Sequence, residues 1–199
     1  QNQNAIARQP DLIHLPGRVG SDYLRSMNPE QTICGYNAVA AVISKRPEDI
    51  VRLHFTAEMA PRFGPICKQL AAERKIYRTN TTEELESLCR SSHHGGVVLV
   101  ARPKPAPAPA ASDIAVWKKE KSRILAFDQV GNTHNMGAMV RSAAFLGIPY
   151  LLVGADAITG LRTASATRVA EGGMEHLTIR CVPSLPEFLK SARNDCLVF

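Results

Sequence analysis

Apolar residues recur along this chain with two different periods, and each change of period marks the edge of an element. Residues 36–44 (YNAVAAVIS) are apolar at helical spacing and stop before Lys45, Arg46 and Pro47, which predicts a helix. Residues 50–55 (IVRLHF) carry the crowded apolar positions of a buried strand. A helix is predicted over 61–74, with Pro61 in its first turn, and a short strand over 75–78. Thr81-Thr82-Glu83-Glu84 opens the next helix, 81–89, with a capping-box pattern, and Leu85 and Leu88 stand three apart on it. Residues 96–101 (GVVLVA) form an unbroken apolar run of strand length. Helix and strand alternating in this order predict a three-layer α/β unit with a mainly parallel sheet.

A second unit follows. Residues 123–127 (RILAF) read as a strand, 128–135 as a polar loop, 136–146 as a helix and 150–153 as another buried strand. That is a βαβ unit with a right-handed crossover, and its ligands are expected beyond the carboxyl ends of the strands, at the loop 128–135. Between the units, residues 103–112 (PKPAPAPAAS) alternate proline with small residues and can be neither helix interior nor sheet. Ten residues of polyproline II reach on the order of 30 Å, enough to hold two units apart and too stiff to let them collapse together. The predicted division is an extended arm over 1–29, a unit over 30–102, a Pro/Ala linker over 103–118 and a second unit over 119–199. The terminal CLVF, 196–199, reads as an apolar strand cut short.

Composition narrows the class. The 199 residues are 45% hydrophobic and 21% charged, the make-up of a globular protein with one large core or two small ones. No run reaches the ~18–20 apolar residues of a membrane span. The opening QNQNAIARQP has neither the basic nor the apolar segment of a secretory signal. A cytoplasmic protein with no membrane partner is therefore expected, and the missing initiator Met suggests a preceding segment that was removed or left out. Cys34, Cys67, Cys89, Cys181 and Cys196 are widely spaced with no CxxC pair, so free thiols in a reducing compartment are expected and no metal site. The formal net charge of +6 favours a polyanionic partner.

Candidate chemistry concentrates in 128–147, DQVGNTHNMGAMVRSAAFLG. The helix is expected to begin immediately after Asn135, so that its free amides favour a phosphate or carboxylate at the loop. Asn135 reads either as the cap alone or as a cap that also shapes the site, and Asn132 as a support for the turn. Gly137 and Ala138 keep the first turn small enough for close approach of a ligand. Met136, Met139, Val140, Ala143 and Leu146 or Gly147 define the buried stripe, with Arg141 to one side. Helical side chains lean toward the N-terminus, which would draw the Arg141 guanidinium back to the loop mouth as an oxyanion or phosphate clamp. GNTHNMG is not a GxGxxG turn, which argues against a dinucleotide site.

This stretch resembles the first motif of the SpoU-type RNA ribose 2′-O-methyltransferases of the SPOUT superfamily. Asn132, Asn135, Gly137, Arg141, Ser142, Ala143 and Gly147 match it; Thr133 stands where the motif usually has Pro, and Leu146 where Phe usually precedes Gly. Residues 168–177 (RVAEGGMEHL), with Glu171, Glu175 and His176, are similar to a second family stretch. The first unit, with CGYNAVAAVI and SSHHGGVVLVA, looks like the RNA-binding domain that precedes many SpoU catalytic domains. There His93-His94-Gly95 replaces the usual His-Gln-Gly.

The resemblance implies a three-layer α/β RNA-binding domain joined by a Pro-rich linker to the first part of an α/β trefoil-knot methyltransferase domain. It implies methyl transfer from S-adenosylmethionine to a ribose 2′-OH of tRNA or rRNA, a homodimer, and no role for DNA. Arg141 is implied as the catalytic residue, with Asn135 at the site. RNA contacts are expected at His93, His94, Asn132, Lys119 and Arg123; the plainer readings are a simple turn for the histidines and a solvated face for Lys118, Lys119, Lys121 and Arg123. The family's later Gly-x-Glu-Gly-like and Ser-Leu-Asn motifs, which line the cofactor pocket, do not occur in the sequence. Cofactor-binding residues therefore stay unassigned, a truncated and inactive protein is expected, and the alternative for these residues alone is a non-catalytic RNA-binding module.

Overall fold

The first unit is built from β1 (Gln31–Cys34), α1 (Tyr36–Lys45), β2 (Ile50–Phe55), α2 (Gly64–Ala72), β3 (Ile76–Thr79), α3 (Thr82–Cys89) and β4 (Val97–Ala101). The structure is a computed structural model that describes residues 30–193; the predicted arm and the terminal CLVF with Cys196 lie outside the described residues. The capping box predicted at Thr81 is present: the Glu84 amide donates to Thr81 Oγ1 at 3.3 Å, and the Thr81 amide to Glu84 Oε2 at 2.9 Å. Of the two leucines on α3, Leu85 is buried and Leu88 is exposed.

The sheet order is β1-β4-β2-β3, and only β2 and β3 run parallel; β4 is antiparallel to both β1 and β2. This corrects the expected mainly parallel sheet. Two features account for it. A four-residue strand, QTIC, precedes α1 and was not anticipated. The turn before β4 also reverses the chain, with Gly95 and Gly96 at φ 59° and 76°, a backbone that glycine adopts without strain. Helices cover both faces, as a three-layer unit requires: Leu53, Phe55, Val97 and Leu99 pack with α1 and α2, while Cys34 and Val98 meet Leu85 and Cys89 of α3.

In the second unit, β5 (Ile124–Phe127), β6 (Tyr150–Gly154) and β7 (Thr178–Val182) form a parallel sheet in that order. The crossover helix α5 (Thr133–Phe145) joins β5 to β6, as the βαβ reading predicts. The short helices α6 (Ile158–Leu161) and α7 (Ala164–Val169) lead to β7, and α8 (Leu185–Ala192) follows it. Phe127, Leu151, Val153 and Ile179 pack under α5, α6 and α7, while Leu152 and Val182 meet Leu185 of α8 on the opposite face.

The segment between the units departs from expectation. Its second part is helical: α4 (Ala111–Glu120) buries Trp117 against Tyr150, ring centroids 5.5 Å apart, and Asp113 receives two hydrogen bonds from Arg180 at 3.0 and 2.7 Å. Its first part lacks regular structure and is docked. Ala106 is buried in the second core, the Cys181 amide donates to Pro107 O, and Lys104 Nζ donates to the carbonyls of Met174 and Leu177.

The two units consequently touch. Arg46 forms a bidentate ion pair with Glu175, at 2.9 and 3.1 Å, with side chains only 8% and 5% exposed. Gln31 Nε2 donates to Arg162 O at 3.0 Å, so β1 is tied to the residue that follows α6. At Gly172, a Cβ would lie 2.8 Å from Ala41 Cβ of α1, so only glycine admits this approach.

Candidate functional site

Helix α5 begins earlier than the sequence predicts. Asn132 is its cap: Asn132 Oδ1 accepts from the Asn135 amide at 3.0 Å, and Asn132 O accepts from the Met136 amide at 3.0 Å. Asn135 therefore lies in the first turn, exposed, and is not the cap. Thr133, at the position where the family motif has Pro, is the first helical residue, and Pro favours that same position.

Below the cap the helix is pinned from both sides. A Cβ on Gly137 would stand 2.5 Å from Ala166 O and 2.8 Å from Val169 Cβ, so the close partner of Gly137 is α7, not a ligand. On Gly173 it would lie 3.2 Å from Arg141 Cα. The segment 170–176 thus lies directly along the outer half of α5. The two stretches that carry the family resemblance, far apart in sequence, are packed against each other.

Their junction is an open groove of about 670 Å³, lined among others by Arg141, Ser142, Phe145, Leu146, Glu171 and His176. Arg141 is exposed, with no hydrogen bond or ion pair among the described residues. Asn132 and Asn135 do not line the groove, nor does the rest of the loop 128–135. Nine residues of helix separate Asn132 from Arg141, about 13 Å along the axis. The groove therefore lies at the C-terminal half of α5 and not at its N-terminal mouth. The stripe prediction holds for Met136, Val140 and Ala143, but Phe145 is 89% and Leu146 59% exposed, leaving an apolar rim on the groove.

The remaining candidates fall in different places. Arg123 Nη2 donates to Leu146 O at 3.1 Å, placing a cation at the C-terminus of α5 where the helix dipole favours it. Lys119 is exposed in the last turn of α4. His93 is exposed, but His94 is 4% exposed and serves the turn: its Nδ1 accepts from the Gly96 amide and its carbonyl from those of Gly35 and Val97. Burial pushes the Cys34 thiol up to about 12, and Cys89 Sγ donates to Ser91 O, so neither thiol is activated as a nucleophile. Burial also lowers the Lys104 ammonium below its ordinary value, partly offset by Glu175.

Sequence reasoning named Glu171 and Glu175 in the second family stretch but gave neither a role. Glu171 accepts a hydrogen bond from Asn37 Nδ2 of α1, which brings the first unit to the edge of the groove. Glu175, four residues on, is turned into the interface between the units. Their presence in the second motif stretch was the signal available.

Residues 32–107 match the family described as RNA 2′-O ribose methyltransferase substrate binding, and residues 122–199 match the SpoU rRNA methylase family. The chain is 33% identical over 150 residues to an uncharacterised tRNA/rRNA methyltransferase of Haemophilus influenzae, covering 75% of this chain and 42% of that protein. It is 31% identical over 166 residues to the 23S rRNA (guanosine-2′-O-)-methyltransferase RlmB of Acinetobacter baylyi, covering 78% and 62%. The chain thus spans about half the length of these relatives. In three dimensions it resembles an rRNA methyltransferase from Sinorhizobium meliloti, with TM-score 0.62 at 15% identity over 86% of this chain and 61% of that one. It likewise resembles the SpoU methyltransferase AviRb from Streptomyces viridochromogenes in complex with AdoMet, with TM-score 0.59 at 20% identity over 90% and 63%. With both halves of the pattern matched in order, the chain belongs to the SpoU family of RNA methyltransferases.

Proposed function

We propose that the chain is the substrate-binding unit and the opening part of the trefoil-knot methylase unit of an RNA 2′-O-ribose methyltransferase. S-Adenosylmethionine is its methyl donor, tRNA or rRNA its acceptor, and the working protein a cytoplasmic homodimer. The observation that carries this reading is the meeting of Arg141 with the Gly172-Gly173 segment in an open groove, beside a unit matched to substrate binding. A ribose 2′-OH is a poor nucleophile. As its oxygen bonds to the methyl carbon it must lose its proton, so charge stabilisation at that oxygen accelerates transfer. The Arg141 guanidinium, permanently charged and unpaired among the described residues, supplies that stabilisation to the ribose oxygen or its phosphate.

S-Adenosylmethionine supplies an electrophilic methyl group on sulfur. The groove has the volume of a small-molecule site, yet it is open to solvent and its one lining carboxylate, Glu171, is engaged by Asn37. The described residues do not fit the donor by themselves, and none is assigned to hold it. For these residues alone we accordingly favour RNA retention without methyl transfer.

The test is transfer of labelled methyl groups to bulk RNA by the protein carrying its whole reading frame. Arg141→Ala is expected to lower the rate by about a hundredfold or more while leaving the melting temperature unchanged; equal rates remove Arg141 from the reaction. Calorimetric titration of the 199-residue chain with S-adenosylmethionine checks the second reading, which micromolar affinity would overturn.

A further inference from the structure

Next to the groove, on the first unit, lies a surface that the reaction does not use. Tyr36 is the first residue of α1 and is 39% exposed, a large exposure for a ring that already packs on Phe63 at 6.3 Å between centroids. The Arg62 guanidinium stands over this ring, its Cζ 5.0 Å from the centroid. Arg62 has no ion pair among the described residues; Glu58, on the same 3₁₀ turn, is held instead by Thr56 and its own backbone. The turn carrying exposed His93 reaches the same place, because a Cβ on Gly95 would lie 3.9 Å from both Gly35 Cα and the Tyr36 amide. Arg168 approaches from the second unit, its Cγ 3.3 Å from where a Gly35 Cβ would be. The next residue after Tyr36, Asn37, holds Glu171 in the groove wall.

We propose that Tyr36, Arg62 and His93 form a track that continues the Arg141 groove across the seam between the units and grips a single-stranded RNA segment flanking the reacting nucleotide. The proposal rests on the RNA-methyltransferase reading and names where the substrate strand leaves the site. Three arguments select this occupant. The surface is continuous with the groove through Asn37 and Glu171. Arg62 and Arg168 on one side and Arg141 on the other, none of them in an ion pair among the described residues, outnumber the two carboxylates Glu58 and Glu171, which suits a phosphate chain. An exposed aromatic ring under a guanidinium offers stacking and cation–π contact to any base, but only an unpaired base can present its face to it. A duplex would meet the track with its backbone alone.

Binding of a fluorescein-labelled uridine dodecamer to the 199-residue chain, followed by anisotropy over a salt series, tests this. Tyr36→Leu is expected to weaken binding about fivefold or more, and Tyr36→Phe, which keeps the ring, to stay within about twofold of wild type. Arg62→Gln should reduce the slope of log affinity against log salt by about 0.7, the loss of one phosphate contact to a single strand. Arg78→Gln, on β3 at the far edge of the sheet, serves as the control and should change nothing. Circular dichroism melting confirms that each variant folds. Should wild type bind while Tyr36→Leu and Arg62→Gln bind equally well, the track is wrong and the methyltransferase reading stands. Equal competition by an RNA duplex of the same length also overturns it. If wild type binds no RNA, both the track and the RNA-retention reading fall together.

Discussion

The seam between the units and the Arg141 groove are made by the same few residues and have opposite physical characters. Glu175 is turned inward and closed in a bidentate pair with Arg46, dry on both sides. Glu171, one turn earlier, faces an open groove in which Arg141 has no ion pair among the described residues. Between them Gly172 and Gly173 each let a helix come within contact distance, α1 on one side and α5 on the other. The lesson is that one short segment fixes the distance between α1 of the first unit and the Arg141 groove. Rigidity lies on one face of the segment and solvent access on the other.

Breaking the seam should have the largest effect. Arg46→Met strands a buried carboxylate and is expected to cost about 3–5 kcal/mol in urea unfolding, whereas the double variant with Glu175→Leu should recover most of it. A double variant no more stable than the single one would show that the pair is not the source of the seam's strength. Next comes the helix beneath the groove: Gly137→Val drives a side chain into Ala166 O and should cost about 1–3 kcal/mol by the same measurement. Asn132→Ala removes the cap of α5 and should cost about 1 kcal/mol, whereas Asn135→Ala should change stability by much less. Equal losses would return the cap to Asn135.

The smallest effect contrasts the dry pair with a wet one. The Arg180 guanidinium beside Asp113 holds that carboxyl below its ordinary value. A depressed carboxyl stabilises the fold above its unfolded value, near ~3.9, and loses that contribution as pH falls through the lower folded value. The melting-temperature gap between wild type and Asp113→Asn should therefore be small at neutral pH, because both side chains keep part of their surface, 19% and 15%, in water, and should close in acid. A gap that widened in acid would contradict the assignment.

Much of this was legible in the chain. The capping box at Thr81, the crossover helix and the apolar run over 150–153 are local signals, and local signals survived folding. The motif residues pointed to α5 and to 168–177 as stretches worth joining. What escaped was set by partners distant in sequence. β1 is four residues long and begins with Gln31, whose burial makes sense only because Arg162 O, 131 positions away, accepts its amide. The reversal of β4 depends on the 91–96 turn, where paired glycines announce a bend but not its direction. Arg46 read as the charged end of a helix, since nothing near it in sequence reveals a buried carboxylate 129 positions later. Arg141 was recognised, but its neighbours were sought toward the helix start, whereas the packing of Gly173 against it places them beyond.

The docked proline-rich segment carries a last consequence. Among the described residues β7 is an end strand of the three-stranded sheet, and an end strand is a template on which another chain can add itself. Pro107 offers its carbonyl to the Cys181 amide, and Pro105, Pro107 and Pro109 have no amide of their own to donate onward. The segment thus accepts from the sheet without being able to extend it. Replacing its prolines with alanines would keep the reach of the tether and remove the stop, turning a guarded margin into an adhesive one.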